Sequence, residues 1–238
     1  MINLHQTVNY QGHSYQVGEI INKFRQSWTI NGNPSVYQPI SNQIIDLKQI
    51  IKESVTKAYK PSVNRALKLH QDNETREKHK QIETNKKLAK DKCQGFLEDE
   101  LYKLVKSPIY PANLQRFLNL EKAITDQIRR VFKEEFGITN YTYGNAQKWF
   151  TISLKYLLSS SSLPQQCNEL FLVVPAPIDR IVINKAHKMF KVKKPSRSWS
   201  KIDDFNEIRD FELSLSIQAQ HKNFVSPLIW EILTWSVN

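Results

Sequence analysis

Asp179 is the residue in this chain whose surroundings most invite a chemical explanation. The stretch from Val174 to Ile183 reads VPAPIDRIVI, placing one carboxylate inside an apolar run with an arginine directly after it. Carboxylates avoid such surroundings unless they are paired, because loss of water disfavours the charged form. The carboxylate is therefore either held by partners or kept for chemistry. Capping is one way to hold it: an Asp after Pro-Ile can accept backbone N–H bonds at the start of the next helix. Downstream lies a basic segment without acids, comprising Lys185, Lys188, Lys191, Lys193, Lys194, Arg197 and Lys201, with His187, Pro195 and Trp199 among them. With Arg180, it is the strongest candidate for contacting phosphates, which would bind a polyanion without reading its sequence and weaken steeply with salt.

Other chemistries find less support. No GxxxxGK[ST], GxGxxG, HExxH or GxSxG run occurs, so nucleotide hydrolysis, dinucleotide binding, zinc proteolysis and serine hydrolysis are disfavoured. Glu98-Asp99-Glu100 followed by Lys103 faintly resembles a metal-dependent nuclease centre, yet acid clusters of this kind are common at exposed helix starts. Cys93 and Cys167 lie far apart without CxxC or Cys/His spacing, which indicates neither zinc nor a disulfide framework. No metal or cofactor is implied.

The elements that must position these residues are mostly helical. Of 238 residues, 40% are hydrophobic and 11% aromatic, a globular composition, and the formal net charge is +11. That surplus predicts a polyanionic partner, most simply nucleic acid, although an anionic membrane surface would also attract it. The start, MINLHQ, lacks signal-peptide character, and no stretch approaches the roughly 20 apolar residues of a membrane span. The expected protein is soluble and cytoplasmic. Residues 1–43 are polar, and Gly18 to Trp28 suits either a short helix or a strand. Ile44, Leu47, Ile51, Val55 and Tyr59 recur at helical spacing; Pro61 interrupts, and Ser62 suits the cap of a second helix carrying Val63, Leu67 and His70. The charged stretch Asp72–Asp91, anchored only by Ile82, Leu88 and Ala89, reads as a solvated helix or as a basic arm following phosphates. Beyond it, Phe96 to Val105 predicts a helix, Leu114 to Phe136 an amphipathic helix or pair ended by Gly137, and Asn145 to Leu158 another helix. Ser159 to Pro164 reads as a linker, and any sheet belongs at the N-terminus. Two regions are expected: a helical N-terminal extension over 1–111 and a second helical region over 112–238.

Three pieces of the second region occur in order: the turn Gly137–Gly144, the helix start Asn145-Ala-Gln-Lys-Trp-Phe150, and the Pro177-Ile-Asp-Arg-Ile run. Over roughly residues 112–200 this arrangement resembles the helix-hairpin-helix DNA glycosylase superfamily. The resemblance implies a mainly α, glycosylase-like bundle acting on double-stranded DNA, with hairpin N–H groups holding phosphates. It implies that Asp179 stabilises positive charge on the sugar or positions water, and that Lys148 is a possible nucleophile. Cleaving a glycosidic bond builds an oxocarbenium-like centre that a carboxylate stabilises, and a lysine of lowered pKa can form a Schiff base. The target base must leave the stack, so aromatics are needed to hold it; Trp149, Tyr141, Tyr143 and Trp199 are nearest in sequence. Members serve repair or defence against phage genomes with modified bases. Two alternatives stay open: a non-catalytic nucleic-acid-binding protein with Asp179 as a cap, and a helical ribonuclease. Arg65 and His70 have the Arg-x4-His spacing of ribonucleases of the HEPN type, with Ala66 in place of the usual polar residue.

Overall fold

The computed structural model describes residues 2–27, 46–64, 76–106, 113–160 and 162–236. It opens with an antiparallel hairpin, β1 (Thr7–Tyr10) and β2 (His13–Gln16), in register Thr7 with Gln16 and Tyr10 with His13. The two-residue turn Gln11-Gly12 has φ of 50° and 81°, the left-handed pair whose twist suits a tight hairpin. Next comes α1 (Val17–Ser27), which resolves the helix-or-strand ambiguity as helix: Ile20, Ile21 and Phe24 are buried together at helical spacing.

Asp46 caps α2 (Leu47–Tyr59), whose Ile50, Ile51, Val55 and Ala58 face inward. Pro61 does not end this helix. Residues 60–64 widen into one π-helical turn, accommodating the missing proline N–H. Ser62 therefore caps no new helix; its hydroxyl donates back to the Ala58 carbonyl at 2.6 Å and to the Lys148 carbonyl at 3.2 Å. Leu67, Arg65 and His70 lie outside the described residues, and so does the proposed ribonuclease pair. The long α3 (Arg76–Lys106) buries Ala89, Cys93, Leu97, Leu101 and Val105 as one stripe, while Leu88 is exposed rather than an anchor. Glu98 accepts from Gln94 and Glu100 pairs with Lys103 at 2.6 Å, so these acids are occupied on the helix surface. Among the described residues no group of three metal-ligating side chains assembles. Cys93 and Cys167 are both buried and are not joined in a disulfide.

Asn113 caps α4 (Leu114–Arg130), which continues through a π turn at Val131–Glu135 and stops at Gly137, φ 69°. The following α5 (Tyr143–Leu158) is the central helix: every residue except Tyr143 and Tyr156 is buried. Within it Lys155 pairs with Glu231 at 2.6 Å, both nearly inaccessible. Short α6 (Leu170–Val173), then α7 (Arg180–Phe190), α8 (Phe205–His221) and α9 (Pro227–Ser236) complete a mainly α fold. A boundary at residue 111 does not separate two cores. Trp149 of α5 donates to the Val55 carbonyl of α2 at 3.0 Å, and one hydrophobic cluster runs from Val8 to Leu233. Among the described residues no helix is long and apolar enough to cross a membrane.

Candidate active site

The candidate site forms where three parts of the chain meet at the start of α5. Thr142 caps this helix, accepting from Asn145 N–H, while its hydroxyl donates to the Ser200 carbonyl at 3.1 Å. Two residues on, the Gly144 N–H donates to the Ile202 carbonyl at 3.0 Å. Contact here is so close that a Cβ on Gly144 would sit 1.8 Å from the Trp199 carbonyl oxygen. Asp203 adds a third fastening through Arg129 and Lys133 of the α4 end, at 2.7 Å and 2.6 Å. Although burial pushes the Asp203 carboxyl up, those two cations bring it down to about 2. Residues 199–203 are thereby clasped onto α5, and the clasp lays the Trp199 ring over Lys148, with Nζ 4.2 Å from the ring centroid.

Asp179 reaches Lys148 from the start of α7. Residues 174–178 form a buried, non-helical run that delivers Asp179 to the start of α7 in an extended conformation. One oxygen caps the helix, accepting from Ile181 and Val182 N–H at 2.8 Å and 2.9 Å. The other faces Lys148 Nζ at 3.5 Å, looser than the roughly 2.7–2.9 Å of a tight charge-assisted bond. The Asp179 side chain keeps 25% of its exposure and Lys148 10%, so the pair sits at the edge of the core with solvent access. Capping and a second engagement are thus simultaneous, because a carboxylate has two oxygens.

Gln147, which the sequence reading passed over, fastens the Asp179 run in place. Its amide donates to Glu212 of α8 at 2.7 Å and its carbonyl accepts from Ile178 N–H at 3.4 Å. Glu212 in turn faces Glu121 of α4, and both carboxyls are buried. Burial pushes Glu121 up to about 7 and Glu212 well above its ordinary value, where the charge on Glu121 adds to the effect. Both shifts favour a proton held at the pair, which would supply the donor that their remaining oxygens otherwise lack. The signal was a lone Gln in an apolar helix and a Glu in each neighbouring apolar stripe.

This pair makes stability pH-dependent in a defined direction. Because its folded pKa is raised, the folded protein holds a proton that the unfolded chain releases above the ordinary 4.5. The contribution is complete below that value and is lost as pH rises through about 7. Melting temperature is expected to fall between pH 5 and pH 8 on this account by the equivalent of roughly 3 kcal/mol. Glu212→Gln should flatten that slope, and parallel profiles for variant and wild type would dismiss the shared proton.

The remaining aromatics do not line the site. Tyr141 is wholly buried and stacks on Phe132, centroids 3.9 Å apart. Trp149 is equally buried, edge-on to Tyr59 and Phe132. Neither can receive a flipped base; both are core. Tyr143 is half-buried, donates to Asp126 and lies under the Arg129 guanidinium at 4.8 Å. Trp199 alone of the four is seen against Lys148, which in turn faces Asp179. Four of the turn amides are engaged: Ile138, Thr139, Tyr141 and Gly144 N–H groups all donate to backbone carbonyls.

Of the basic residues, Arg180, Lys188, Lys191, Lys193, Lys194, Arg197 and Lys201 are exposed, and half-buried Lys185 donates to the Thr234 carbonyl at 3.1 Å. Lys191 ends α7 with φ 61°. Lys193 and Lys194 share a cleft with Asp204, Glu207 and Asp210 of α8, and Lys194 donates to Asn184. The segment that is acid-free in sequence is therefore partly compensated in space. Comparison with protein-family models, with curated proteins and with solved structures yields no match to this chain.

Proposed function

We propose that this protein excises a base from DNA, with Asp179 as the group that stabilises the cationic sugar and Lys148 beside it as the second group able to reach C1′. The observation that supports this reading is the convergence of Lys148, Asp179 and Trp199 at a partly open edge of the core, from three separate parts of the chain. In the reaction the C1′–N bond breaks and its electron pair leaves with the base, which takes up a proton. The Asp179 carboxylate faces the positive charge left at C1′. Water then adds to C1′ and gives its proton to Asp179, leaving an abasic sugar. Should Lys148 pass its ammonium proton to Asp179, its Nζ can add to C1′ in place of water, and the resulting imine breaks the strand by elimination. Trp199 supplies the aromatic face against which an extruded base can stack.

The test is to incubate the protein with duplex DNA carrying uracil, oxidised, alkylated or hydroxymethylated and glucosylated bases, reading alkali-labile abasic sites. Borohydride trapping of a covalent complex, lost in Lys148→Met, identifies the lysine route; abasic sites without trapping identify the water route. Salt-sensitive DNA binding with no base released from any substrate would overturn the proposal, leaving a binding protein in which Asp179 is a cap.

A further inference from the structure

We infer that a cleft between the β-hairpin, α7 and α9 is a second nucleotide-binding site, taking an unpaired nucleotide of the strand engaged at Asp179. The inference rests on the base-excision reading for its choice of strand, though not for the chemistry of the cleft. The cavity is about 460 Å³, within the roughly 300–1,000 Å³ of small-ligand sites. Its residues sort into three groups by chemistry. Tyr10 and Met189 provide an apolar and aromatic floor, and the fully buried Trp230 backs it, its indole N–H donating to the Met189 sulfur at 3.3 Å. Lys185 and Lys188, one helical turn apart on α7, provide two positive charges on one wall. Asn9 and Gln11 bring amides, each with donors and an acceptor, on the hairpin rim.

No acid lines this cleft, unlike the neighbouring one that holds Lys193 and Lys194. A planar ring carrying an anion satisfies all three groups at once, and a nucleotide is that combination: a base for the floor, Watson–Crick edges for the amides, phosphate for the lysines. A lipid would leave the rim amides unused, and an acidic peptide would leave the aromatic floor unused. Lys188 lies nine residues along α7 from Asp179, about 13 Å of axial rise at 1.5 Å per residue.

The experiment measures dAMP and deoxyadenosine binding by titration calorimetry, using wild type, Lys188→Glu and the charge-matched control Lys87→Glu. Both substituted residues are exposed, so the fold is retained. dAMP is expected to bind at least tenfold more tightly than deoxyadenosine. Lys188→Glu should lower dAMP affinity at least tenfold, and Lys87→Glu should leave it unchanged. Equal binding of the two compounds, or equal loss in both variants, overturns the site. Base release from DNA by a protein that fails to bind dAMP removes the second site and leaves the proposed function standing. Binding of dAMP without base release from any DNA supports the cleft and removes the function.

Discussion

Asp179→Asn is expected to lower base release by about 10²–10³-fold, the scale of losing one preorganised electrostatic partner of the transition state. Its melting temperature should fall by no more than about 4–8 °C. Few substitutions separate these quantities so cleanly, and the reason is local. Asp179 uses one oxygen to cap α7 and presents the other to Lys148. Asparagine caps a helix about as well as aspartate, so the bonds from Ile181 and Val182 persist. What disappears is the negative charge. Its interaction with the helix start is worth about 0.3–1 kcal/mol, and the partly exposed 3.5 Å pair with Lys148 contributes no more than about 1 kcal/mol. In the reaction the same charge faces a full developing cation at C1′. Alanine would confound cap and charge; asparagine does not. The measurement is single-turnover abasic-site formation beside a thermal melt. Release at the wild-type rate would exclude Asp179 from the chemistry.

How far the sequence discloses this arrangement depends on the range of the interactions involved. Local signals are legible. The apolar spacing of Leu97, Leu101 and Val105, the stop at Gly137, the cap at Asp179 and the N-terminal position of the sheet all follow from periodicity and turn chemistry. Pro61 is an instructive exception, because a π turn absorbs a missing N–H that would otherwise end the helix. In α5 the periodicity argument misleads for a physical reason. A helix buried on nearly all sides has no solvent face, so spacing cannot say which aromatics turn to a site. Trp149 in α5 and Tyr141 in the turn before it are base-stacking candidates only through their nearness in sequence. The carboxyl pair of Glu121 and Glu212 and the acids of α8 beside Lys193 and Lys194 are contacts between segments 10 to 90 residues apart. A charge that is isolated along the chain carries no mark of what faces it in space.

Gly144→Ala should destabilise the protein by about 2 kcal/mol and displace Trp199 from Lys148, although alanine is the better helix former. The position lies in the first turn of α5, where replacing glycine normally stabilises by about 1 kcal/mol. Here the new methyl would stand 1.8 Å from the Trp199 carbonyl oxygen and 2.9 Å from its carbon. Those are backbone atoms and cannot swing aside as a side chain would. Relief requires the turn Trp199–Lys201 to lift from α5, since the Arg129 and Lys133 bonds to Asp203 hold only its far end. Lifting breaks the Gly144 to Ile202 and Thr142 to Ser200 bonds, each worth about 1 kcal/mol net, and the overpacking that remains costs about 1 kcal/mol more. After offsetting the helix gain, the loss corresponds to a melting shift of about 4–8 °C. Gly95→Ala is the internal control, because a Cβ there meets nothing within 4 Å in the middle of α3 and should raise stability. Opposite signs at the two glycines are the expected result. The Trp199 emission change, isolated by difference from a Trp199→Phe background, should accompany the loss at Gly144 alone. Gly144→Ala melting at or above wild type, with Trp199 emission unchanged, would show that the clasp does not bear on α5 as drawn.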